Sequence, residues 1–323
     1  MCAALAHKAG LDEKEALSTM EPLADQTTKN SILQIDLKAP SGAVWADVDW
    51  FKQGRLGRNL EKVKGNRLRS AIYLRFGKGS YRGKVTYYKW DKSQIGEPIR
   101  FQIMNTDDVD KEFLLSSHLV NSEDPAIKRL AKEINRGVKT DMEKARAIHN
   151  WVCTNIKYDY ALMKSLFELN KSLDSQEEKM KKYMKLQERA RATNVLLKKS
   201  AVCQGYADLT AALFRASGIP CKLIDGRAIN PEQLGGFRAE DFLNSFHAWN
   251  EVRIEDRWVI MDTTWDAGYL KQDGTFVFKK SWNYFDPKEE TFYLDHAVNC
   301  TRTEYTGNVL RWSAFLILGE HRL

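Results

Sequence analysis

No run of about 18 consecutive apolar residues occurs anywhere in the 323 residues, so no transmembrane helix is expected. Cysteine is scarce. The five stand at positions 2, 153, 203, 221 and 300, odd in number and without a C-x-x-C pair. A disulfide ladder and a structural zinc site are therefore excluded, and reduced thiols are the expectation. Neither G-x-G-x-x-G nor P-loop spacing occurs, and no carboxylate loop has EF-hand spacing, so nucleotide and calcium chemistry have no support. Internal repeats and low-complexity tracts are also missing. The apolar run in Met1–His7 is too short for a signal-peptide core. Two readings of location stay open: retention inside the cell, or a true start upstream of Met1.

What is present is ordinary globular composition, 43% hydrophobic and 29% charged with a mean hydropathy of −0.50, which excludes general disorder. The length allows one large domain or two of ordinary size. Lys and Arg total 50 against 43 Asp and Glu, a net charge of +7. An excess this mild suits an acidic partner only weakly. The basic residues are scattered and no zinc-finger or RNA-binding motif accompanies them, so no nucleic-acid partner is expected.

Residues 1–30 are polar, helical at best, and read as a peripheral segment. From 31 to 120 short period-two runs recur, among them Ile32–Leu37, Val44–Trp50, Ala71–Phe76, Lys84–Trp90 and Ile99–Ile103. Such runs, separated by Gly, Ser, Asn and Asp, predict a small antiparallel, sandwich-like β-domain. Its aromatics Trp45, Trp50, Tyr87, Tyr88 and Trp90 could form a binding face, but cross-strand and core packing is the preferred reading. A boundary falls near Asn121–Pro125, where Ser122 or Asp124 can cap a helix with Pro125 in its first turn. Thr140-Asp-Met-Glu143 reads as a capping box opening a second helix through Ile156. Residues 161–200, rich in Lys and Glu with Leu166, Leu169, Leu173, Met180, Tyr183 and Met184 as apolar positions, read as one or two exposed amphipathic helices. They would be either a lid over a site or a solvated insertion.

The informative stretch is Ser200–Thr210. Tyr206, Leu209, Leu213 and Phe214 mark a helix facing a core, Gly218-Ile-Pro220 ends it, and Cys221–Ile224 looks like a strand. Cys203 then sits at the helix N-terminus. There the dipole and the unpaired N–H groups favour a thiolate, and the same N–H groups can receive an oxyanion. Downstream, Ser245–Trp265 reads as a hairpin turning at Glu255-Asp256. A two-residue turn pairs Ile254 with Arg257, Val252 with Val259, Asn250 with Met261, and Trp249 with Asp262. Asp262 would then share a sheet face with His247, one diagonal and roughly 7–8 Å away. A loop of three or five residues would put the pair on opposite faces. A thiol at a helix start, an imidazole to take its proton and a carboxylate to fix the ring are the parts of a thiol nucleophile.

At these residues a resemblance is clear. Ala201–Ala207, Gly218–Pro220, His247–Val252 and Trp258–Trp265 resemble the bacterial transglutaminase-like domain of the papain-like thiol enzymes. Ala145–Val152 with Ile156–Tyr160 is similar to that family's leading helix. Asn283–Pro287 with Asp295-His296 resembles its closing segment. The resemblance implies an α+β fold in which a helix carrying the Cys packs on an antiparallel sheet carrying the His and Asp. It implies Cys203 as nucleophile, His247 as base and later acid, and Asp262 as orienting carboxylate; separately, no cofactor and no metal are expected. The domain would span 121–305, with the insertion 161–200 covering part of the cleft mouth, and 306–323 would be a tail. Members are often exported, so a protein or peptide substrate at the cell surface or in the cell wall is among the candidates.

Around the triad, Tyr158 could donate to the oxyanion and Gln204 could orient the helix start. Trp249 and Trp265 flank the His and Asp and would shield or simply pack. His149 and Cys153, one turn apart, read as structural because no Asp is placed to orient the imidazole. The activity expected is acyl transfer at an amide carbonyl through a thioester, with hydrolysis favoured over amine cross-linking. The alternative is an inert scaffold acting through its β-domain, and the complete triad argues against it.

Overall fold

A computed structural model describes residues 23–109, 111–229 and 246–302. Residues 1–22 and the tail expected over 306–323 lie outside the described residues. The chain divides into two compact units. One comprises the described residues through Glu112 together with Leu173–Lys181; the other comprises Phe113–Ser172 and the described residues from Lys182 on.

The first unit holds β1 (Leu23–Thr28), β2 (Ile32–Lys38), β3 (Trp45–Lys52), β4 (Arg55–Lys62), β5 (Arg67–Tyr73), β6 (Gly79–Tyr88) and β7 (Gln94–Asn105). They form a five-stranded sheet, β1-β7-β6-β3-β4, and a two-stranded sheet, β2-β5. One core draws on both, with Leu33, Leu68 and Ile72 meeting Val48, Trp50, Val85 and Ile103. The aromatics are packing residues: Trp45, Trp50 and Tyr87 are buried, and Trp45 stacks on Tyr88 at 4.4 Å.

Two strands depart from the sequence expectation. Residues 23–28, read as helical at best, form a strand parallel to β7, with Gln26 opposite Ile103. Leu-Ala-Asp-Gln-Thr-Thr has no period-two alternation, and its place comes from the ladder of β7. Strand β4 was hidden because charged and polar groups interrupt it, Asn59 at a buried position. The Arg58 guanidinium grips Asp49 through two bonds, and Asn59 donates to Ser70 Oγ at 3.2 Å. A Cβ at Gly57 would lie 2.2 Å from the Trp50 ring, so only glycine lets the indole cross β4 there.

The second unit runs α1 (Pro125–Ile134), α2 (Asp141–Asn155), β8 (Lys157–Tyr158), α3 (Tyr160–Lys171), α4 (Gln176–Gln187, whose first turns belong to the other unit), α5 (Ala192–Lys198) and β9 (Ser200–Ala201). It continues with α6 (Cys203–Ala216), β10 (Cys221–Ala228), β11 (Phe246–Ile254), β12 (Arg257–Met261), α7 (Thr263–Ala267), β13 (Gly268–Leu270), β14 (Phe276–Phe278), α8 (Glu289–Phe292) and β15 (His296–Arg302). The main sheet has the order β12-β11-β10-β15, all antiparallel. Asp124 caps α1 with Pro125 following it, and Thr140 and Glu143 close the capping box of α2. The expected insertion is three helices, α3 to α5. Leu169, Met180, Tyr183 and Met184 are buried, whereas Leu173 lies in the connection between α3 and α4 and is exposed.

The boundary falls before Phe113, earlier than the Asn121–Pro125 expected. Residues 113–120 are held by this unit: Cys221 N donates to Phe113 O at 3.0 Å, Arg215 Nη1 to Leu115 O at 3.0 Å, and Val120 joins the core.

Helix α6 is the centre of this unit. Apart from its first two residues and Ala216 it is buried throughout, and it packs on β10, β11, α1, α2 and α5. Its first turn can approach α5 and β9 only because residue 205 is glycine: a Cβ there would lie 2.8 Å from that of Ala201 and 2.9 Å from Val195 Cγ2. Gly205→Ala is expected to cost about 1–3 kcal/mol by overpacking, read as a lower urea midpoint at unchanged slope.

Candidate active site

Cys203 is the first residue of α6. Val202 caps the helix in extended conformation without a side-chain hydrogen bond, which leaves the leading N–H groups to an incoming anion. The turn is anchored from outside. Strand β9 pairs in parallel with β8, Tyr158 opposite Ala201, and Asp159 N donates to Ala201 O at 2.9 Å. The Asp159 carboxylate then accepts from Leu162 N at 2.9 Å, from Ser200 Oγ at 2.8 Å and from Arg189. This pairing sets Tyr158 beside the start of α6. Burial, then the negative charge of the Cys203 sulfur and of Asp159, push the phenol far up, so Tyr158 stays a hydrogen-bond donor.

The hairpin has the register that a two-residue turn requires: Ile254 pairs with Arg257, Val252 with Val259, and Asn250 with Met261, around Glu255 at φ +54°. The next expected pair, Trp249 with Asp262, does not form. The strand stops at Met261, and Asp262 instead caps α7, its Oδ1 accepting from Thr264 N at 2.8 Å and Trp265 N at 3.3 Å. Aspartate followed by Thr-Thr satisfies the first N–H groups of a helix better than it continues a ladder. Its second oxygen still reaches the imidazole, His247 Nε2 to Asp262 Oδ2 being 2.7 Å. That leaves Nδ1 free of Asp262, and Cys203 is near enough to the ring to favour its protonated form. The three residues expected to meet are thus brought together, with His247 and Asp262 buried and Cys203 half-buried.

Burial alone would pull a proton from the His247 ring. The charge and hydrogen bond of Asp262, with those of Cys203, reverse this and raise its pKa from 6.5 to about 10. For Asp262 burial raises the pKa, and His247 with His296 outweighs it and holds the carboxyl well below its usual 3.8. The raised histidine contributes stability that is full below 6.5 and lost as pH climbs through about 10. The depressed carboxyl contributes stability present above 3.8 and lost as pH falls through its lowered value. Urea unfolding across pH should therefore show a neutral plateau with a fall at each end. His247→Gln is expected to flatten the alkaline fall.

Sequence reasoning missed a second imidazole on the same carboxylate. His296 Nε2 lies 3.3 Å from Asp262 Oδ2, and its Nδ1 meets Asp295 Oδ1. The Asp295-His296 pair was visible only as part of the closing segment, and nothing local tied it to Asp262. The ligand atoms of His247, Asp262 and His296 lie within 4.8 Å of one another, close enough to surround a metal ion; here the carboxylate engages both rings by hydrogen bonds.

A second thiol–imidazole–carboxylate set lies under the first. His149 Nε2 bonds Asp266 Oδ2 at 2.8 Å, and Cys153 Sγ lies 3.6 Å from the same ring nitrogen. The expectation that no Asp orients His149 is therefore corrected: Asp266, on α7, does so. All three residues are fully buried, and the Cys153 thiol bonds Thr263 O at 3.4 Å. Burial, and then the charges of Asp266 and Asp262, push that thiol far up, which makes it inert rather than a second nucleophile.

Of the remaining candidates, Trp249 and Trp265 do flank the imidazole, their rings 6.2 and 5.5 Å from that of His247. Gln204 turns along its helix, Nε2 donating to Asp208 Oδ2 at 2.6 Å. Cys221 is buried on β10, as expected of a packed strand residue. Among the described residues no helix is long and apolar enough to cross a membrane.

Residues 128–263 match the model of the transglutaminase-like superfamily. Kyphoscoliosis peptidase of Homo sapiens is 26% identical over 211 residues, covering 65% of this chain and 28% of that protein, and the Mus musculus protein is 26% identical over 212. The chain thus spans 28% of the length of the curated relatives it matches. Among solved structures, a candidate cysteine protease from Cytophaga hutchinsonii is similar at 18% identity and TM-score 0.34, over 72% of this chain and 64% of that one. The periplasmic domain of TgpA from Pseudomonas aeruginosa is similar at 14% identity and TM-score 0.32, over 73% and 90%. Residues 128–263 thus carry the match to the transglutaminase-like superfamily.

Proposed function

We propose that this chain is a cysteine enzyme that transfers an acyl group from an amide carbonyl of a protein or peptide, with Cys203 as nucleophile, His247 as base and then acid, and Asp262 as the orienting carboxylate. The observation that carries the reading is that Cys203, at the start of a buried helix without a side-chain cap, neighbours the His247 ring that Asp262 holds at 2.7 Å.

The sulfur attacks the carbonyl carbon, and its proton resides on His247. The tetrahedral oxyanion is received by the leading N–H groups of α6 and by the Tyr158 hydroxyl, which stays protonated. As the C–N bond breaks, His247 gives its proton to the leaving amine and a thioester remains on Cys203. Water, deprotonated by His247, then resolves the thioester to an acid. Asp262 holds the ring in one orientation throughout and balances its positive charge. Trp249 and Trp265 keep the ion pair away from bulk water.

Hydrolysis is favoured over amine transfer because among the described residues none marks a subsite that would admit a lysine and exclude water. The similar human and mouse proteins also bear the name peptidase. The test is a peptide-library cleavage assay and an amine-incorporation assay on one preparation, with Cys203→Ala as control. Cleavage dependent on Cys203 is the expected result. Amine adducts in excess of cleavage would replace hydrolysis by cross-linking. Identical behaviour of wild type and Cys203→Ala, with a biological effect retained, would replace the enzyme by a scaffold.

A further inference from the structure

We propose that His296 is a positioning residue of this site, a second imidazole that shares the Oδ2 oxygen of Asp262 with His247 and is itself held from behind by Asp295. The inference rests on the reading of Cys203, His247 and Asp262 given above and deepens it.

The geometry is that of a relay with no slack. The Tyr284 hydroxyl donates to Asp295 Oδ2 at 2.8 Å, Asp295 Oδ1 takes His296 Nδ1, and His296 Nε2 reaches Asp262 Oδ2 at 3.3 Å. The same oxygen accepts from His247 Nε2 at 2.7 Å. The His296 ring is buried and fixed in its plane by Phe292, stacked on it at 4.0 Å and 19°, with Trp265 at 4.6 Å and Trp249 at 5.2 Å. Its backbone is set by the pairing of β15 with Ala228 on β10. A phenylalanine would fill such an aromatic box as well. What a phenylalanine lacks is a ring nitrogen facing each of two carboxylates.

The consequence follows from charge sharing. A carboxylate oxygen that accepts two N–H groups divides its negative charge between them. His296 therefore tempers the pull of Asp262 on the His247 proton, and His247 can release that proton to a leaving amine. The titratable groups facing His296 are Asp262, Asp295, Tyr284 and His247; those facing His247 are Asp262, Cys203 and His296. The remaining ring neighbours, Trp249, Trp265 and Phe292, are neutral.

The test uses the six histidines of the chain. Ring nitrogens are followed by 15N NMR through a pH titration in wild type, His296→Phe, His296→Leu and His296→Gln, with iodoacetamide alkylation of Cys203 measured on the same proteins. In His296→Phe the His247 midpoint should rise by about one unit, a tenfold gain in proton affinity. The pH at which Cys203 alkylation changes pace should rise in parallel. His296→Gln, which keeps an N–H toward Asp262, should restore most of the wild-type value. His296→Leu is the second non-donating variant should the phenylalanine protein not fold. A His247 midpoint and an alkylation profile unchanged in a folded non-donating variant would overturn the inference and leave His296 as packing. If Cys203 of the wild type alkylates no faster than Cys221, the enzyme reading itself fails, an outcome separate from the first.

Discussion

Cys203→Ala is expected to lower kcat/KM by roughly 10^6 on any peptide or amide that the wild-type chain turns over, while leaving the fold in place. The size follows from removing the nucleophile of a unit whose members act together, so that losing one loses nearly the whole. Retention of the fold follows from position. Cys203 is half-buried at the helix start, its backbone and not its side chain begins the helix, and Val202 occupies the cap. The stability change should stay within about 1 kcal/mol. Urea unfolding and turnover measured on one preparation separate the two effects. A variant that lost its fold along with its activity would not bear on catalysis.

The second large effect combines stability with chemistry. Asp262 accepts four donors while fully buried: Thr264 N, Trp265 N, His247 Nε2 and His296 Nε2. In Asp262→Ala those donors lose their acceptor in a site closed to water, and two imidazoles lose the carboxylate that compensates them. The expected cost is about 3–5 kcal/mol, read from the urea midpoint. Asp262→Asn keeps the shape and one carbonyl oxygen for the cap. Its stability loss should be smaller, yet turnover should still fall by about 10^4, because the amide cannot hold the ring in the required tautomer. If Asp262→Asn kept wild-type turnover while Asp262→Ala lost stability, Asp262 would be a helix cap and nothing more.

Much of the site was legible in the sequence because its parts are local signals. Cys203 stands before an apolar period of 3.6 that Gly218 ends, and the helix runs from Cys203 to Ala216. Glu255-Asp256 between two apolar runs sets a turn of two residues, and the register from Ile254 to Met261 follows from it. What was not legible depends on partners far along the chain or on polar groups inside. His149 and Asp266 are 117 residues apart and meet only when α2 packs on α7. His296 reaches Asp262 through the pairing of β15 with β10, a ladder between segments with no shared pattern. A five-residue helix such as α7 is too short to show a period, so Asp262 read as the continuation of a strand. In the first unit, β4 escaped notice because Arg58 is tied to Asp49 and Asn59 occupies a buried position that period-two reasoning reserves for apolar residues.

The same physics separates three thiols of one residue type. Cys153 lies beside an imidazole with its carboxylate and yet is sealed among Thr263, His149 and the core, whereas Cys221 packs in β10. Only Cys203 combines an imidazole, a helix start and partial access among the described cysteines. The direct measurement is the rate of iodoacetamide alkylation of each of the three, resolved by mass spectrometry on the folded protein at neutral pH. Cys203 is expected to be modified at least about a hundredfold faster than the other two, with the advantage lost in His247→Gln and on unfolding in urea. Equal rates at all three cysteines in the folded chain, or a Cys203 rate indifferent to His247→Gln, would contradict the account.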